Sequence, residues 1–316
     1  RIVMDGTRAV GVAFTDRGQS QVLRAGREVI LSGGAINSPQ LLQLSGIGDG
    51  AQLKGLGIEM AHHNPNVGRH MQDHIGLNYT YRTRVNSLNN VLRPMLGKLG
   101  VGLQYFLCGR GPLSLSLNQG GGFFRTRPEL DRPNMQLYFQ AFSTLIPRAD
   151  ERPVLSPDPF PGLSIGLSNC RPTSRGHLEL ASPDPEAAPR IFANAFSTNQ
   201  DVEEMLAAVK FIRRIAAQKP MADLIAEELR PGPEIATDEA LIDDFRSRSG
   251  TVFHPSCTVR MGADAAASPV DADLRLRGID NLRICDASAF PTLIGGNTNA
   301  PAILMGWLGA ERILAR

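Results

Sequence analysis

His254 is the side chain best placed for acid–base chemistry. It follows Val252 and Phe253 and precedes Pro255, so its backbone is restricted and its neighbours are apolar. Apolar surroundings hold the pKa of an imidazole near or below neutrality, which makes a neutral ring available as a general base. The alternative interpretation is a histidine that is hydrogen-bonded in the core.

A second candidate lies before the last helix, where Asn297-Thr298-Asn299 follows a pair of glycines and precedes Pro301. A polar cap and an early proline leave several N–H groups unpaired at the positive end of a helix. Such an end binds an anion or a developing oxyanion. The alternative is an ordinary capped helix.

Other reactive side chains give weaker signals. His70 and His74 have the i, i+4 spacing of a zinc helix, but residues 64–74 contain Asn-Pro and Gly, which predict a loop. We therefore expect no metal site. Cys257 lies three residues after His254, but a separation of three residues in an irregular segment does not bring the two side chains into contact. A hydrolase interpretation thus lacks its nucleophile.

The elements that position these residues are strands and helices that follow one another at both ends of the chain, as in an α/β fold. Strands are predicted over 1–4, 9–14 and 28–31, followed by a short helix with Ser38 as N-cap and Pro39 at its first position. Residues 77–170 alternate in short runs that favour an antiparallel sheet. Helices are predicted over 201–216, 237–246 and 300–314, and a strand over 282–285.

Composition excludes several classes of protein. The chain is 42% apolar and 20% charged, a composition typical of a globular protein. Its net charge is only +2 and its basic residues are scattered, so nucleic acid is not an expected partner. Four dispersed cysteines fit neither a zinc cluster nor a disulfide framework. No apolar run is long enough for a transmembrane segment. A cytoplasmic protein is expected, with peripheral attachment to a membrane left open.

Several landmarks occur in one order along the whole chain. The longest is residues 34–48, GAINSPQLLQLSGIG, and shorter ones lie at 66–74, 172–176, 254–262 and 283–288. In these residues the sequence resembles the glucose–methanol–choline (GMC) oxidoreductases, flavoproteins that oxidise alcohols with FAD. The resemblance implies an α/β (α+β overall) fold. A partial Rossmann-like FAD-binding domain, residues 1–75 and 246–316, would be interrupted by an antiparallel-sheet substrate domain, residues 76–245.

The resemblance also implies roles for single residues. His254 would take the hydroxyl proton of the substrate, and Asn297 would hydrogen-bond the substrate oxygen while hydride passes to the flavin. The implied contacts with FAD are Asp286, Ala287, Asn297, Thr298 and Asn299. Candidate substrate contacts are Gln119 and Phe253. The electron acceptor stays open among oxygen, a quinone and a dye.

The sequence departs from the family pattern in two places. It has no G-x-G-x-x-G turn, the motif that holds the pyrophosphate of FAD, so we expect a C-terminal fragment that binds FAD weakly by itself. Choline-oxidising relatives carry an acidic residue where this chain has Gln119. A buried cation without a charged partner is costly, so a neutral primary alcohol is the expected substrate.

Other interpretations remain open at this stage. They are a choline dehydrogenase proper, a flavin-free fragment without activity, and a lyase that cleaves cyanohydrins with the same histidine. A metal-dependent hydrolase is the least favoured.

Overall fold

The computed structural model describes residues 1–144 and 156–315. The strands are β1 Ile2–Asp5, β2 Arg8–Asp16, β3 Gln19–Arg24, β4 Val29–Leu31, β5 Ile47–Gly48, β6 His62–His63, β7 Ile75–Thr83, β8 Gly120–Phe124, β9 Met135–Gln140, β10 Gly162–Asn169, β11 His177–Glu179, β12 Arg190–Phe192, β13 Ile225–Arg230, β14 Gly250–Thr251 and β15 Leu282–Ile284. The α-helices are α1 Gly34–Leu44, α2 Gly50–Gly55, α3 Leu88–Leu92, α4 Met95–Cys108, α5 Asn199–Ala216, α6 Met221–Leu224, α7 Asp238–Arg248 and α8 Asn299–Leu314. Within the described ranges, no helix has the length and apolar character needed to cross a membrane.

The chain divides into two compact units. Unit 1 comprises Arg1–His74, Arg171–Ser197 and Phe253–Arg316, and unit 2 comprises Ile75–Cys170 and Thr198–Val252. These limits differ from the predicted domain boundaries by one residue at 75/76 and by more in two other places. Residues 171–197 lie in unit 1 because the backbones of Met71 and Gly176 exchange two hydrogen bonds. The predicted boundary at 245/246 falls inside α7, and the chain stays in unit 2 until β14 has paired with β7.

Unit 1 combines small sheets with α1 and α8. Strands β1, β2 and β3 form an antiparallel sheet, and β4 pairs in parallel with β15 from the far end of the chain. The apolar run Val29–Leu31 is thereby joined to Leu282–Ile284, and both strands contribute to one buried apolar cluster. The C-terminal region is therefore part of the same core as the N-terminal one.

Unit 2 is built on one antiparallel sheet in the order β13-β7-β10-β9-β8, with β14 also paired to β7. Its central strand β10 is buried along its whole length, as expected for a strand covered on both faces. Helix α5 packs on this strand through Met205, Ala208, Val209 and Ile212, which are buried. The predicted apolar spacing of that helix is confirmed.

Helix α1 begins earlier than its sequence indicates. It starts at Gly34, after Gly33, so that Pro39 lies inside the helix and Ser38 is not its N-cap. A proline has no N–H for the carbonyl four residues before it, which here is that of Ala35. The hydroxyl of Thr258 donates to this carbonyl at 2.7 Å instead. A residue far along the chain thus supplies the donor that the helix lacks.

We predict that Thr258→Val lowers the free energy of unfolding by about 1–3 kcal/mol, because a buried carbonyl loses its donor. Urea unfolding followed by circular dichroism measures the change. The matched control is Thr15→Val, on the exposed part of β2, which should have little effect. In the Thr258→Val background, Pro39→Ala should recover part of the loss because it restores a backbone N–H. Equal stabilities of the two valine variants would refute this role for Thr258.

Candidate active site

Three consecutive residues of unit 1, Gln72, Asp73 and His74, hold the segments that carry the predicted catalytic side chains. We call them the QDH segment. The backbones of Gln72 and Ser256 exchange two hydrogen bonds. The Gln72 side-chain oxygen accepts from the backbone of Leu293 at 3.1 Å and from the hydroxyl of Thr292 at 3.2 Å. One residue therefore holds the region after His254 through its backbone and the region before Asn297 through its side chain.

Asp73 and His74 act on His254 itself. A carboxylate oxygen of Asp73 accepts the backbone N–H of His254 at 3.0 Å. The Nδ1 atoms of His74 and His254 are 2.9 Å apart, with the two rings edge to face at 88°. The Nε2 atom of His74 lies 3.0 Å from the carbonyl oxygen of Ile294. The ring of His254 is thus held from one side by a histidine that is only 1% exposed.

The outer side of His254 meets Asn297. The Nε2 atom of His254 lies 3.4 Å from the Asn297 amide nitrogen, and Asn297 is exposed. Burial lowers the pKa of His254 below its ordinary value, because desolvation disfavours the imidazolium. Its ring is therefore neutral at pH 7. A neutral acceptor and an amide donor stand side by side at the surface of unit 1.

Phe253 precedes His254 in a left-handed conformation, with φ at 64°. Its side chain is 83% exposed. A bulky residue at positive φ is strained, and such residues concentrate at functional sites. The Asp73 carboxylate holds the next peptide in place, so the turn that presents His254 is braced where it is strained.

Asp286 is the polar centre of the turn that supports this segment. One carboxylate oxygen accepts from the Gly34 backbone at 2.9 Å and the Ser38 hydroxyl at 2.5 Å. The other accepts from the backbone and hydroxyl of Ser288 at 2.8 and 2.5 Å. Four donors occupy the acceptor sites of a carboxylate. The buried side chain therefore joins α1 to the 3₁₀ turn Ala287–Ala289.

Residues 257–261 run along that turn. The backbone N–H groups of Cys257, Val259 and Met261 donate to the carbonyls of Ala287, Ser288 and Ala289. The His254 segment, helix α1 and the Asp286 turn are consequently one connected piece of backbone. Cys257 itself is not a nucleophile of the Cys–His type, since burial raises the pKa of its thiol to about 11 and its Sγ contacts Gln72 and Ser256.

Gln119 belongs to unit 2, where its side chain is tied to backbone. The amide nitrogen donates to the carbonyls of Ser116 and Leu117 at 2.7 and 3.0 Å, and the amide oxygen accepts from Ala141 at 2.7 Å. These bonds use both of its N–H groups. The side chain braces the entry into β8, and this is the contact the structure gives it.

Two family models with the description GMC oxidoreductase match residues 1–76 and 172–306. The chain belongs to the GMC oxidoreductase family. It is 38% identical to human mitochondrial choline dehydrogenase over 319 residues, which covers 99% of the chain and 52% of that protein. It is 35% identical to an alcohol dehydrogenase (acceptor) of Pseudomonas putida over 319 residues, 100% of the chain and 56% of that protein.

Solved structures agree with this assignment. The formate oxidase of Aspergillus oryzae, in a structure that concerns modification of its FAD, superposes with a TM-score of 0.90 at 26% identity and covers 100% of this chain and 59% of its own. The predicted fold class, a mixed helix-and-sheet GMC fold with an antiparallel sheet, is confirmed. This chain of the GMC family spans about half the length of the curated relatives it matches.

The residues present fit the ring end of a flavin. Helix α8 begins at Asn299, and Thr298 makes no capping hydrogen bond through its side chain to the N–H groups of the first turn. The positive end of a helix suits the charge that collects on a reduced flavin ring. The N–H of Ala287 opens the 3₁₀ turn in the same way. Asp286, whose oxygens are engaged, can contribute through its backbone.

Sequence reasoning missed the QDH segment. The sequence predicts a loop at His74 and gives it no role beyond its i, i+4 spacing from His70. The contact that matters joins His74 to His254, 180 positions apart, and no local pattern reports such a pair. The available signal was that Gln72, Asp73 and His74 end one of the family landmarks.

We predict that Asp286→Asn lowers the free energy of unfolding by about 1.5–3 kcal/mol, as expected when a charged acceptor is removed. An amide presents N–H groups to one of the two backbone donors, from Gly34 or Ser288. Guanidinium unfolding measures the loss. Asp16→Asn, at the exposed end of β2, is the control, and coincident unfolding curves for the two variants would contradict the role of Asp286.

Proposed function

We propose that this chain supplies the substrate-oxidising site of an FAD-dependent alcohol oxidoreductase, which converts a neutral primary alcohol to an aldehyde. The observation that carries the proposal is the pair formed by His254 Nε2 and Asn297 Nδ2, 3.4 Å apart. Membership of the GMC family supports oxidoreductase chemistry. The pair adds a reason why the substrate group is a hydroxyl.

A hydroxyl group needs both an acceptor for its hydrogen and a donor for its oxygen. His254 Nε2 is the acceptor, and the Asn297 amide is the donor. An alcohol placed between them directs its O–H at the imidazole while its oxygen accepts from the amide. The same two atoms then serve the reaction, since His254 takes the proton and Asn297 stabilises the alkoxide that remains.

FAD, when bound, supplies the acceptor for the hydride that leaves the alcohol carbon with the bonding pair of electrons. Unit 1 would hold the flavin ring through the start of α8 and the backbone of Asp286 and Ala287. Thr298 and Asn299 lie at that helix start. We assign unit 1 to the FAD-binding domain and unit 2 to the substrate domain, which keeps the predicted division with the observed limits.

The choice of alcohol follows from charge. At the position where choline-oxidising members carry an acidic residue, this chain has the neutral Gln119, whose amide is committed to backbone partners. Phe253 presents an exposed aromatic face beside His254. Both features suit an uncharged alcohol with an apolar tail. Choline oxidation is the second candidate, because human choline dehydrogenase is 38% identical to this chain over the 319 aligned residues.

We predict that His254→Ala slows reduction of the flavin by alcohol by about 10²–10⁴-fold, the contribution of a general base. Stopped-flow absorbance under anaerobic conditions measures the rate in FAD-loaded enzyme containing this chain. In the parent enzyme the rate should fall as pH drops through the pKa of His254, which burial places below the ordinary value. His63→Ala, an exposed histidine of β6, is the control. Reduction at the parent rate in His254→Ala would contradict the assignment of His254 as the general base.

Substrate class is tested separately by comparing kcat/KM for 1-alkanols and for choline with an artificial dye as acceptor. We predict higher values for the alkanols, because no charge at position 119 offsets the desolvation of a trimethylammonium group. A clear preference for choline would replace the neutral-alcohol proposal by choline oxidation and leave the role of His254 intact.

A further inference from the structure

We propose that His74 is a positioning residue that fixes the tautomer of His254 and so decides which ring nitrogen meets the alcohol. The consequence for catalysis rests on the proposed function of His254. The proton arrangement itself rests only on the contacts of unit 1. The proton arrangement follows in two steps from the carbonyl of Ile294, which can only accept a hydrogen bond.

The first step starts at the carbonyl of Ile294. A carbonyl oxygen can only accept a hydrogen bond, and it lies 3.0 Å from Nε2 of His74. Nε2 of His74 therefore carries a hydrogen. A neutral imidazole has one N–H, so the Nδ1 atom of His74 carries a lone pair.

The second step assigns the hydrogen on the ring of His254. Two Nδ1 atoms at 2.9 Å require one hydrogen between them, and His74 has none to give at that position. Nδ1 of His254 is therefore the donor. Its single N–H is then used, and Nε2 of His254 presents a lone pair toward the Asn297 amide, 3.4 Å away. This is the tautomer that a general base at Nε2 needs.

The reverse order would place two hydrogens on His74 and make it cationic. His74 is 1% exposed, and a charge taken out of water at such a position is disfavoured. The arrangement stays intact when His254 accepts a proton at Nε2, because Nδ1 of the resulting imidazolium continues to donate to His74. Only one proton has to move in the step.

His74 differs from the carboxylate that orients the base in a serine protease triad. A carboxylate would stabilise the imidazolium and raise the pKa of the base. A neutral imidazole orients the ring without that charge. The other groups that face His254 are the Asp73 carboxylate, which takes the backbone N–H, and the Asn297 amide. The pKa of His254 accordingly stays lowered by burial.

Histidine labelled with ¹⁵N in the chain reports the tautomer of each ring by nuclear magnetic resonance. The samples are the parent chain, His74→Leu, which has no acceptor, and His74→Asn, whose amide oxygen can replace Nδ1. His70→Asn, four residues away in the same loop, is the control, and His254→Gln assigns the signal. We expect a protonated Nδ1 and a free Nε2 for His254 in the parent, His74→Asn and His70→Asn, and a mixture in His74→Leu.

The same variants are then compared in FAD-loaded enzyme. We expect His74→Leu to lower the limiting rate of flavin reduction by about tenfold or more, since the wrong tautomer cannot accept the proton. The alcohol concentration for half-maximal rate should change little. His74→Asn should recover most of the rate. A purely structural role for His74 would lower thermal stability in both variants without this difference in tautomer.

Two results would overturn the proposal: a His254 ring in the parent chain with its hydrogen on Nε2, or a His74→Leu protein with the parent tautomer and rate. The first needs no variant, so a His74→Leu protein that fails to fold does not weaken the test. Failure of the proposed function looks different. In that case the parent tautomer is as predicted, and no alcohol reduces the flavin in the FAD-loaded enzyme.

Discussion

The hydrogen bond between Nδ1 of His74 and Nδ1 of His254 is the contact on which the candidate active site depends. It lies within a chain of polar groups that begins at the carbonyl of Ile294 and ends at the amide of Asn297. Because the first group in this chain can only accept, every later donor and acceptor role follows. Under the proposed function, the fold thereby selects which ring nitrogen of His254 faces the alcohol before a substrate binds.

The surrounding backbone explains why this geometry is held. The QDH segment makes hydrogen bonds to His254 and Ser256 and also to Thr292 and Leu293, so it joins the two segments that carry His254 and Asn297. Below them, Asp286 with its four donors ties helix α1 to the Ala287–Ala289 turn. Buried polar groups of this kind are costly unless all of their hydrogen bonds are made, and here they specify a single arrangement.

Much of the fold could be predicted from the sequence because its elements are set by local patterns. The amphipathic spacing of α5 and the apolar runs of β4 and β15 are properties of short stretches. The predicted start of α1 was wrong. Pro39 leaves the carbonyl of Ala35 without a backbone donor, and the hydroxyl of Thr258, which lies in a distant part of the sequence, donates to it instead. The position of residues 171–197 was missed for the same reason, because it is fixed by backbone pairing with Met71.

The candidate site divides in a similar way. His254 and Asn297 are predicted from their flanking residues and from the family resemblance, and the structure places their side chains 3.4 Å apart. His74 and Asp73 were not predicted, because they are joined to His254 only by tertiary contacts. Gln119 was selected for its chemical type, and its bonds to neighbouring backbone became visible only in three dimensions. Local chemistry thus indicates candidate groups, and only the tertiary contacts show which hydrogen-bond partners they have.

The positions of the hydrogens on His74 and His254 test most directly whether His74 fixes the tautomer of His254. Neutron diffraction from crystals of the chain in deuterated buffer near pH 8 would show them. The structure predicts deuterium on Nε2 of His74 and on Nδ1 of His254, and none on Nε2 of His254. Deuterium on Nδ1 of His74, or on Nε2 of His254 with its Nδ1 bare, would contradict the assignment of His254 as a base presented by its neighbour.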